Sequence, residues 1–414
     1  MDFQISIEKP GIRRVSVEDK LLQIGKPLLN ALCLAGYHPL LKAKWGKAGF
    51  VRPGIALFWA IFNFVLLLVT EVLYCIYIYS AIIEKQDMGF TENFAYSLMT
   101  YSVLTSFVVL KGLTIYKYKQ NGKFWEQNVH LLEEFSEAGP QFDVSSEQQN
   151  DYFGRMGHEI RRSLIFGTIY IIYCMTVGVI RNKMVEDSFN ALPGAYDFLI
   201  YTDSIVWNLN FSMYFLFGLF LGFYLKIYIA CLRVIAMEVE KLVIIQNAKD
   251  KLTLVQNLDL GRTPILKPQY NREQMAEQLE QCLKAYLITE DLVLCFSRHF
   301  DTELFLIFVS SFFIIFARTF VILYAFLRCS PAELMFMVGK IVVYIWQIYY
   351  IAALCSQLDQ EVKGIQFFLH RIELRDLPTY LQTKIQMLGV RLATEPHGIS
   401  PREFFKLDRR LVTT

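Results

Sequence analysis

The sequence predicts an all-α membrane protein: a bundle of six transmembrane helices, N-terminus inside, with long helical extensions in the cytoplasm. Three observations carry this reading. Of the 414 residues, 54% are hydrophobic and 19% charged, against about 25% charged in ordinary soluble chains. The apolar surplus is gathered into blocks of roughly 20 residues, the length that crosses a bilayer. Lysine and arginine are concentrated in alternate segments between those blocks, as the positive-inside rule requires.

Residues 1–54 form a cytoplasmic N-terminal segment. They are polar and basic, and lack the short apolar core and small-residue cleavage site of a signal peptide. Six predicted spans follow within 55–358. They are Ile55–Ile83, which contains Glu71; Asn93–Tyr116, with Lys111 near its end; Ser163–Ile180; Ser204–Leu225, without any charge; Leu304–Leu327, with Arg318 inside; and Leu334–Leu358, with Lys340 inside. On this topology the cytoplasmic pieces 1–54, 117–162, 226–303 and 359–414 hold 9, 6, 10 and 9 Lys plus Arg, or 34 of the 41. The external pieces hold only Lys85, Arg181, Lys183 and Arg328. The sequon Asn210-Phe-Ser212 falls inside the fourth span and is read as chance.

External loops are short, roughly 84–92, 181–203 and 328–333, which leaves no extracellular domain to capture a protein ligand. The cytoplasmic mass reads as helix. Lys226–Leu258, in the link 226–303, contains neither Pro nor Gly. After a break at Gly261–Pro268, Met275, Leu279, Cys282, Leu283 and Tyr286 recur at helical spacing and lead into the fifth span. Beyond the sixth span, in 359–414, the helix is predicted to run to about Arg375 and stop at Pro378. Rods of this kind must bury their apolar stripe, either on one another or against another subunit, and composition does not choose between the two.

Of the eight cysteines only Cys329 falls in an external loop, and there is no C-x-x-C, so no disulfide is expected. The six histidines are far apart, so neither a metal site nor a cofactor is expected. Glu71, Arg318 and Lys340 are each costly in hydrocarbon, by roughly 2.5–3.5 kcal/mol on insertion scales. Glu71 can pair with Arg318, and Lys340 can snorkel to the outer surface. Alternatively, Arg318 and Lys340 mark a ligand cavity in the outer half of the bundle. Aromatic residues near the outer span ends point to the same place: Tyr96, Tyr101, Tyr170, Tyr173, Trp207, Tyr324 and Tyr344. They also suit an interfacial belt; as a group they fit a small apolar pocket with a few polar groups.

At the C-terminal end, Ser400-Pro401-Arg402-Glu403 reads as a helix start, with Ser400 as N-cap, Pro401 at the first position and Glu403 closing a capping box. Phe404, Leu407 and Leu411 then share one face.

This tail, Phe404-Phe405-Lys406-Leu407-Asp408-Arg409-Arg410-Leu411, resembles the FF-x-L-D-x-x-L segment of insect gustatory receptors, matched by Phe404, Phe405, Leu407, Asp408 and Leu411. The layout is similar too: about 400 residues, N-terminus inside, short external loops and a long link between the fourth and fifth spans. The resemblance implies a gustatory chemoreceptor in the plasma membrane of sensory neurons. It would be a multi-pass subunit of a ligand-gated cation channel related in fold to insect odorant receptors. A small-molecule tastant would bind in the outer half of the bundle. A homo- or hetero-tetramer would surround a pore lined by a seventh helix, with cytoplasmic helices from 226–300 and 359–411 as its anchor. Besides the bilayer and the tastant no other partner class is implied, and no nucleic acid. Two departures stand out. "ISPRE" occupies a place where the family carries small residues with Gly, and neither a seventh span nor a Thr-Tyr…Gln-Phe ending is present. Ser400–Thr414 therefore reads as the cytoplasmic start of a last helix, and the chain alone is expected to insert and associate without conducting.

Other classes fit less well. A six-span transporter predicts an internal repeat and broken helices, and the spans contain neither a repeat nor a proline. A G-protein-coupled receptor needs its N-terminus outside. An enzyme is not expected, because no paired acids, histidine cluster or nucleophile elbow occurs at a useful spacing.

Overall fold

In the computed structural model, Ala195–Leu258 is one helix of 64 residues. At 1.5 Å per residue it is about 96 Å long, three times the hydrocarbon thickness of about 30 Å. The structure describes residues 17–36, 57–70, 72, 106–138, 154–155, 157–170, 172–173, 176, 195–258, 272–325, 331–394, 399–403 and 406–407, with side chains for most of them. Among the described residues every regular element is helical. In chain order they are α1 (Val17–Leu34), α2 (Leu57–Thr70), α3 (Ser106–Tyr116), α4 (Tyr118–Glu137), α5 (157–170), α6 (Ala195–Leu258), α7 (Arg272–Ala325), α8 (Pro331–Leu369) and α9 (Thr379–Thr394).

Three of these are long and apolar enough to cross a membrane, within Tyr214–Gln246, Glu273–Phe320 and Met337–Leu369. The helices α2 and α3 are shorter apolar pieces of the first two predicted spans. Lipid-type surface is plain on α2, where Phe58, Phe62, Val65 and Val69 are exposed, and on α5, where Ile165, Phe166 and Ile169 are.

The helix α6 is the spine. It packs against α8 most extensively, and also against α7 and α1. Its contact with α8 depends on Gly218 and Gly222, four residues apart on one face. A Cβ on Gly218 would fall 2.6 Å from Gln347 Nε2, and one on Gly222 2.4 Å from Tyr350 Cε1. Small residues at this spacing let helices approach closely in membranes. Gln347 also donates from Nε2 to the Tyr214 carbonyl at 3.1 Å, which fixes it in the gap.

The rods pack on one another within the chain. Leu279, Ala285, Leu292 and Phe296 of α7 are fully buried, with Ile235, Val239 and Leu242 of α6 in the same core. The final helix α9 lays Leu381, Ile385, Leu388 and Leu392 against this core. It is tied to α7 by Lys384 to Glu280 and Arg391 to Glu290, both at 2.9 Å. The opposite side of α9 leaves Met387 and Val390 exposed, as is Phe367 at the end of α8.

Two local expectations need correction. The helix after the sixth span ends at Leu369, not near Arg375. Its last turn tightens into short-range bonds, Arg371 N–H to the Phe368 carbonyl and Ile372 N–H to the Leu369 carbonyl. Gln246 of α6 then takes both backbone groups of Glu373 at 3.0 Å, replacing the bonds a longer helix would make. The N-terminal segment, read as merely polar and basic, contains α1. Leu21, Leu28 and Leu32 bury one face of it, and Gly36 at φ 81 ends it, with the N–H groups of Ala35 and Gly36 bonded back to the Ala31 and Cys33 carbonyls.

Candidate functional site

A polar seam lies buried between the long helices. Tyr214 of α6 is at its centre. Its hydroxyl lies 2.8 Å from the Ile307 carbonyl, 2.7 Å from Ser311 Oγ and 3.1 Å from Ser310 Oγ, all on α7. The Phe107 ring of α3 and the Tyr344 ring of α8 meet the Tyr214 ring edge-on at 5.8 and 5.6 Å. Buried polar groups are costly without partners; α7 supplies those of the Tyr214 hydroxyl, and Gln347 of α8 bonds the Tyr214 carbonyl. The seam therefore fixes how α6, α7 and α8 face one another.

Of the predicted pocket residues, Tyr344 meets this seam directly. Tyr344 is buried, and Arg318 of α7, also buried, stands within electrostatic reach of its hydroxyl. Lys340, one turn before Tyr344, is 2% exposed. It therefore does not snorkel, and its ammonium is held inside the bundle. Half-buried Tyr170 of α5 points its hydroxyl at Gly339, 3.6 Å from where a Cβ would sit. Tyr173, whose ring is 6.3 Å from that of Tyr170, is exposed. Trp207 and Tyr324 lie in α6 and α7, with their side chains outside the described set. Glu71, Tyr96 and Tyr101 lie outside the described residues, and the Glu71–Arg318 pair with them.

A second polar cluster sits where α7 enters its apolar stretch, and sequence reasoning missed it. Lys117, between α3 and α4, places its Nζ 2.8 Å from Glu303 Oε2 and 2.6 Å from the His299 carbonyl. His299 Nε2 lies 2.8 Å from Asn121 Oδ1, and its ring stacks on Phe124 at 4.4 Å. Burial, aided by the Lys117 charge, lowers the His299 pKa to about 4. Burial also raises the Glu303 carboxyl, with Lys117 opposing the shift. Both Lys117 and Glu303 abut predicted spans, where a charge normally reaches water; the sequence gives no sign that these two face each other. Asn128 and Tyr228 extend the cluster along α4 and α6 by a short hydrogen bond.

The tail closes over the other side of the same turn of α7. Arg402 donates its backbone N–H to Asp301 Oδ1 at 2.6 Å, its Nε reaches Asp301 Oδ2 at 3.1 Å, and its Nη2 reaches Thr302 Oγ1 at 2.8 Å. Lys406 meets Asp359 of α8 at 3.1 Å. Leu407 is buried. The capping-box helix does not form, however. Pro401–Glu403 is a single 3-10 turn with Arg402 at φ 53. Asp301 captures the Arg402 N–H that a capping side chain would otherwise accept, and the Leu407 N–H returns to the Ile399 carbonyl at 2.9 Å. Phe404, Phe405, Asp408 and Leu411 lie outside the described residues.

The family model described as 7tm Chemosensory receptor matches residues 26–414. Among solved structures the chain is similar to the insect olfactory receptor OR5 from Machilis hrabei, with TM-score 0.65 and 10% identity over 95% of this chain and 94% of that one. It is also similar to the same receptor in complex with eugenol, with TM-score 0.61 and 13% identity over the same shares. No curated protein matches by sequence.

Proposed function

We propose that this chain, which belongs to the 7tm chemosensory receptor family, is a gustatory receptor subunit that gates a cation current in response to small-molecule tastants. The observation that carries the reading is the family match across nearly the whole chain, joined by a fold likeness to an insect olfactory receptor over 95% of it. That relative was solved with eugenol, which supports a ligand of similar size for this chain. The seam around Tyr214, Tyr344 and Arg318 supports a site inside the bundle. An apolar-lined space with a few convergent polar groups is the usual form of a small-molecule site. On this reading, the chain lies in the plasma membrane with its N-terminus and its rods in the cytoplasm. It assembles as a tetramer with itself or with other gustatory subunits. The exposed Met387 and Val390 on α9 and Phe367 on α8 are the contacts assigned to that assembly.

The test is whole-cell recording from cells that co-express this chain with intact subunits of the same receptor family, surface delivery being confirmed. A panel of sugars and bitter compounds is applied. The expected result is a saturable change in tastant-evoked cation current when this chain is present, with a dose–response curve displaced by Arg318→Ala. Currents identical with and without the chain across the panel would overturn the proposal.

A further inference from the structure

At the base of α5 a basic and an aromatic surface meet. Arg161 and Arg162 are both exposed, and the Arg162 guanidinium lies 5.7 Å over the Phe166 ring. One turn above, the side chains of Ile165, Phe166 and Ile169 are each more than half exposed. Across from them Lys226 of α6 pairs with Glu159, three residues before Arg162 and so on the same helical face. The Lys226 ammonium also stands 5.8 Å over the Tyr350 ring. From there a stack of rings rises along the bundle: Tyr350 on Trp346 at 5.1 Å, and Trp346 on Phe215 at 5.3 Å. Gly167 admits Phe215 to the α5 surface, since a Cβ there would fall 2.5 Å from its ring. Among the described residues, Arg161, Arg162 and Lys226 thus stand at the foot of an apolar, aromatic wall, with Glu159 paired to Lys226.

We infer that this surface is a binding site for an anionic phospholipid in the leaflet on the side of the rods. The headgroup phosphate sits at Arg161 and Arg162, and the acyl chains lie along Phe166, Ile169 and Trp346. Charge and depth both favour this occupant. A soluble anion would find the cations but leave the apolar wall bare. A zwitterionic lipid would cover the wall but leave the net positive charge unanswered. Basic residues beside a span attract anionic lipids, which are enriched in the cytoplasmic leaflet, and cation–aromatic contacts hold the basic side chains in place at that depth. The site lies apart from the Tyr214 seam, and its occupancy does not depend on which tastant the receptor binds.

The full chain is purified in a mild detergent, and retained lipid is counted by native mass spectrometry. The probes are phosphatidylcholine, phosphatidylserine and phosphatidylinositol 4,5-bisphosphate, with inositol trisphosphate as the headgroup alone. The expected result is selective retention of the two anionic lipids. Arg161→Gln and Arg162→Gln should each weaken retention roughly fivefold, while Arg162→Lys keeps most of it. Lys123→Gln with Lys284→Gln removes two exposed cations on α4 and α7, helices that carry none of the site's residues, and should change nothing. Equal retention of all three lipids overturns the proposal. So does an effect of the distant pair as large as that of the arginines, and so does binding of inositol trisphosphate as tight as that of its lipid, which would mark a free-phosphate site.

Discussion

Glu303 and Lys117 face each other at 2.8 Å, with only 3% and 14% of their side chains exposed. The pair joins the loop after α3 to the point where α7 becomes apolar. Removing one partner of a buried pair leaves an uncompensated charge and typically costs 3–5 kcal/mol. Lys117→Met should therefore lower the unfolding midpoint of the purified protein by the equivalent of about 3 kcal/mol. The double variant Lys117→Met with Glu303→Gln should recover most of the loss. Thermal unfolding in detergent checks this, and a double variant no better than the single one would count against a paired role.

The His299 ring gives the same region an acid response. Its pKa is about 4 when folded, against 6.5 when unconstrained. The folded state thus favours the neutral ring. The stability it contributes is present above pH 6.5 and is lost as pH falls through 4, by as much as about 3 kcal/mol. Glu303 works the other way: its raised carboxyl is neutralised on acidification and offsets part of that loss. In His299→Gln, which keeps a donor for Asn121, the fall in unfolding midpoint between pH 7 and pH 4 should be smaller than in the parent.

Arg402 is half exposed and Asp301 nearly a third, so their contact belongs to the weak class of surface ion pairs, worth up to about 1 kcal/mol. The prediction for Asp301→Asn is accordingly local. Global unfolding should shift little, while amide exchange across 399–407 should speed up by about fivefold or less, the ceiling that about 1 kcal/mol sets. Hydrogen exchange read by mass spectrometry separates the tail from α9, whose exchange should be unchanged.

Gly222→Ala places a methyl carbon 2.4 Å from the Tyr350 ring. Overpacking of this kind costs about 1–3 kcal/mol. Reduced surface delivery and a lower unfolding midpoint are expected, with partial recovery in Gly222→Ala plus Tyr350→Ala. If Gly222→Ala behaves like the parent, α6 and α8 are less tightly apposed than the structure shows.

Met387→Asp with Val390→Asp changes two exposed side chains on α9. Folding of the single chain should be disturbed by about 0.5 kcal/mol or less. If this face joins subunits, native electrophoresis of the membrane extract should move from the assembled form toward the monomer. An unchanged assembly with unchanged stability assigns the subunit contact to another face.

The rods were legible in the sequence because their signal is local. Lys226–Leu258 has neither Pro nor Gly, and Met275, Leu279, Cys282 and Tyr286 fall at helical spacing; α6 and α7 follow both. The close approach of α6 and α8 was also written locally, as Gly218-x-x-x-Gly222, a spacing that reads as a helix contact only when looked for. The helix α1 was hidden, because its buried leucines are diluted by charges and interrupted by Pro27. The cluster at His299, Glu303, Lys117 and Arg402 was not legible at all. His299 and Glu303 share one turn of α7, but Lys117 lies 182 and 186 residues before them and Arg402 about a hundred after, and each alone resembles an ordinary polar residue at a membrane edge. The turn at Arg402 was misread for the same reason: the local capping pattern was correct, but Asp301, distant in sequence, captured its N–H.

Gln347 and Tyr350 occupy the hollows that Gly218 and Gly222 leave on α6. Such a fit works as a key in a slot. Sliding α8 along α6 would carry these side chains off the two glycines and onto positions of that face that bear side chains, so the fit opposes a shift of register. The join between α6 and α7 is of another kind. It runs through the hydroxyls of Tyr214, Ser310 and Ser311, which can trade partners within one turn. The α6–α8 contact is thus a steric lock, whereas the α6–α7 contact adds hydrogen bonds to shared apolar packing. It is α7 that carries Arg318 toward one end and grips Lys117 and the tail at the other.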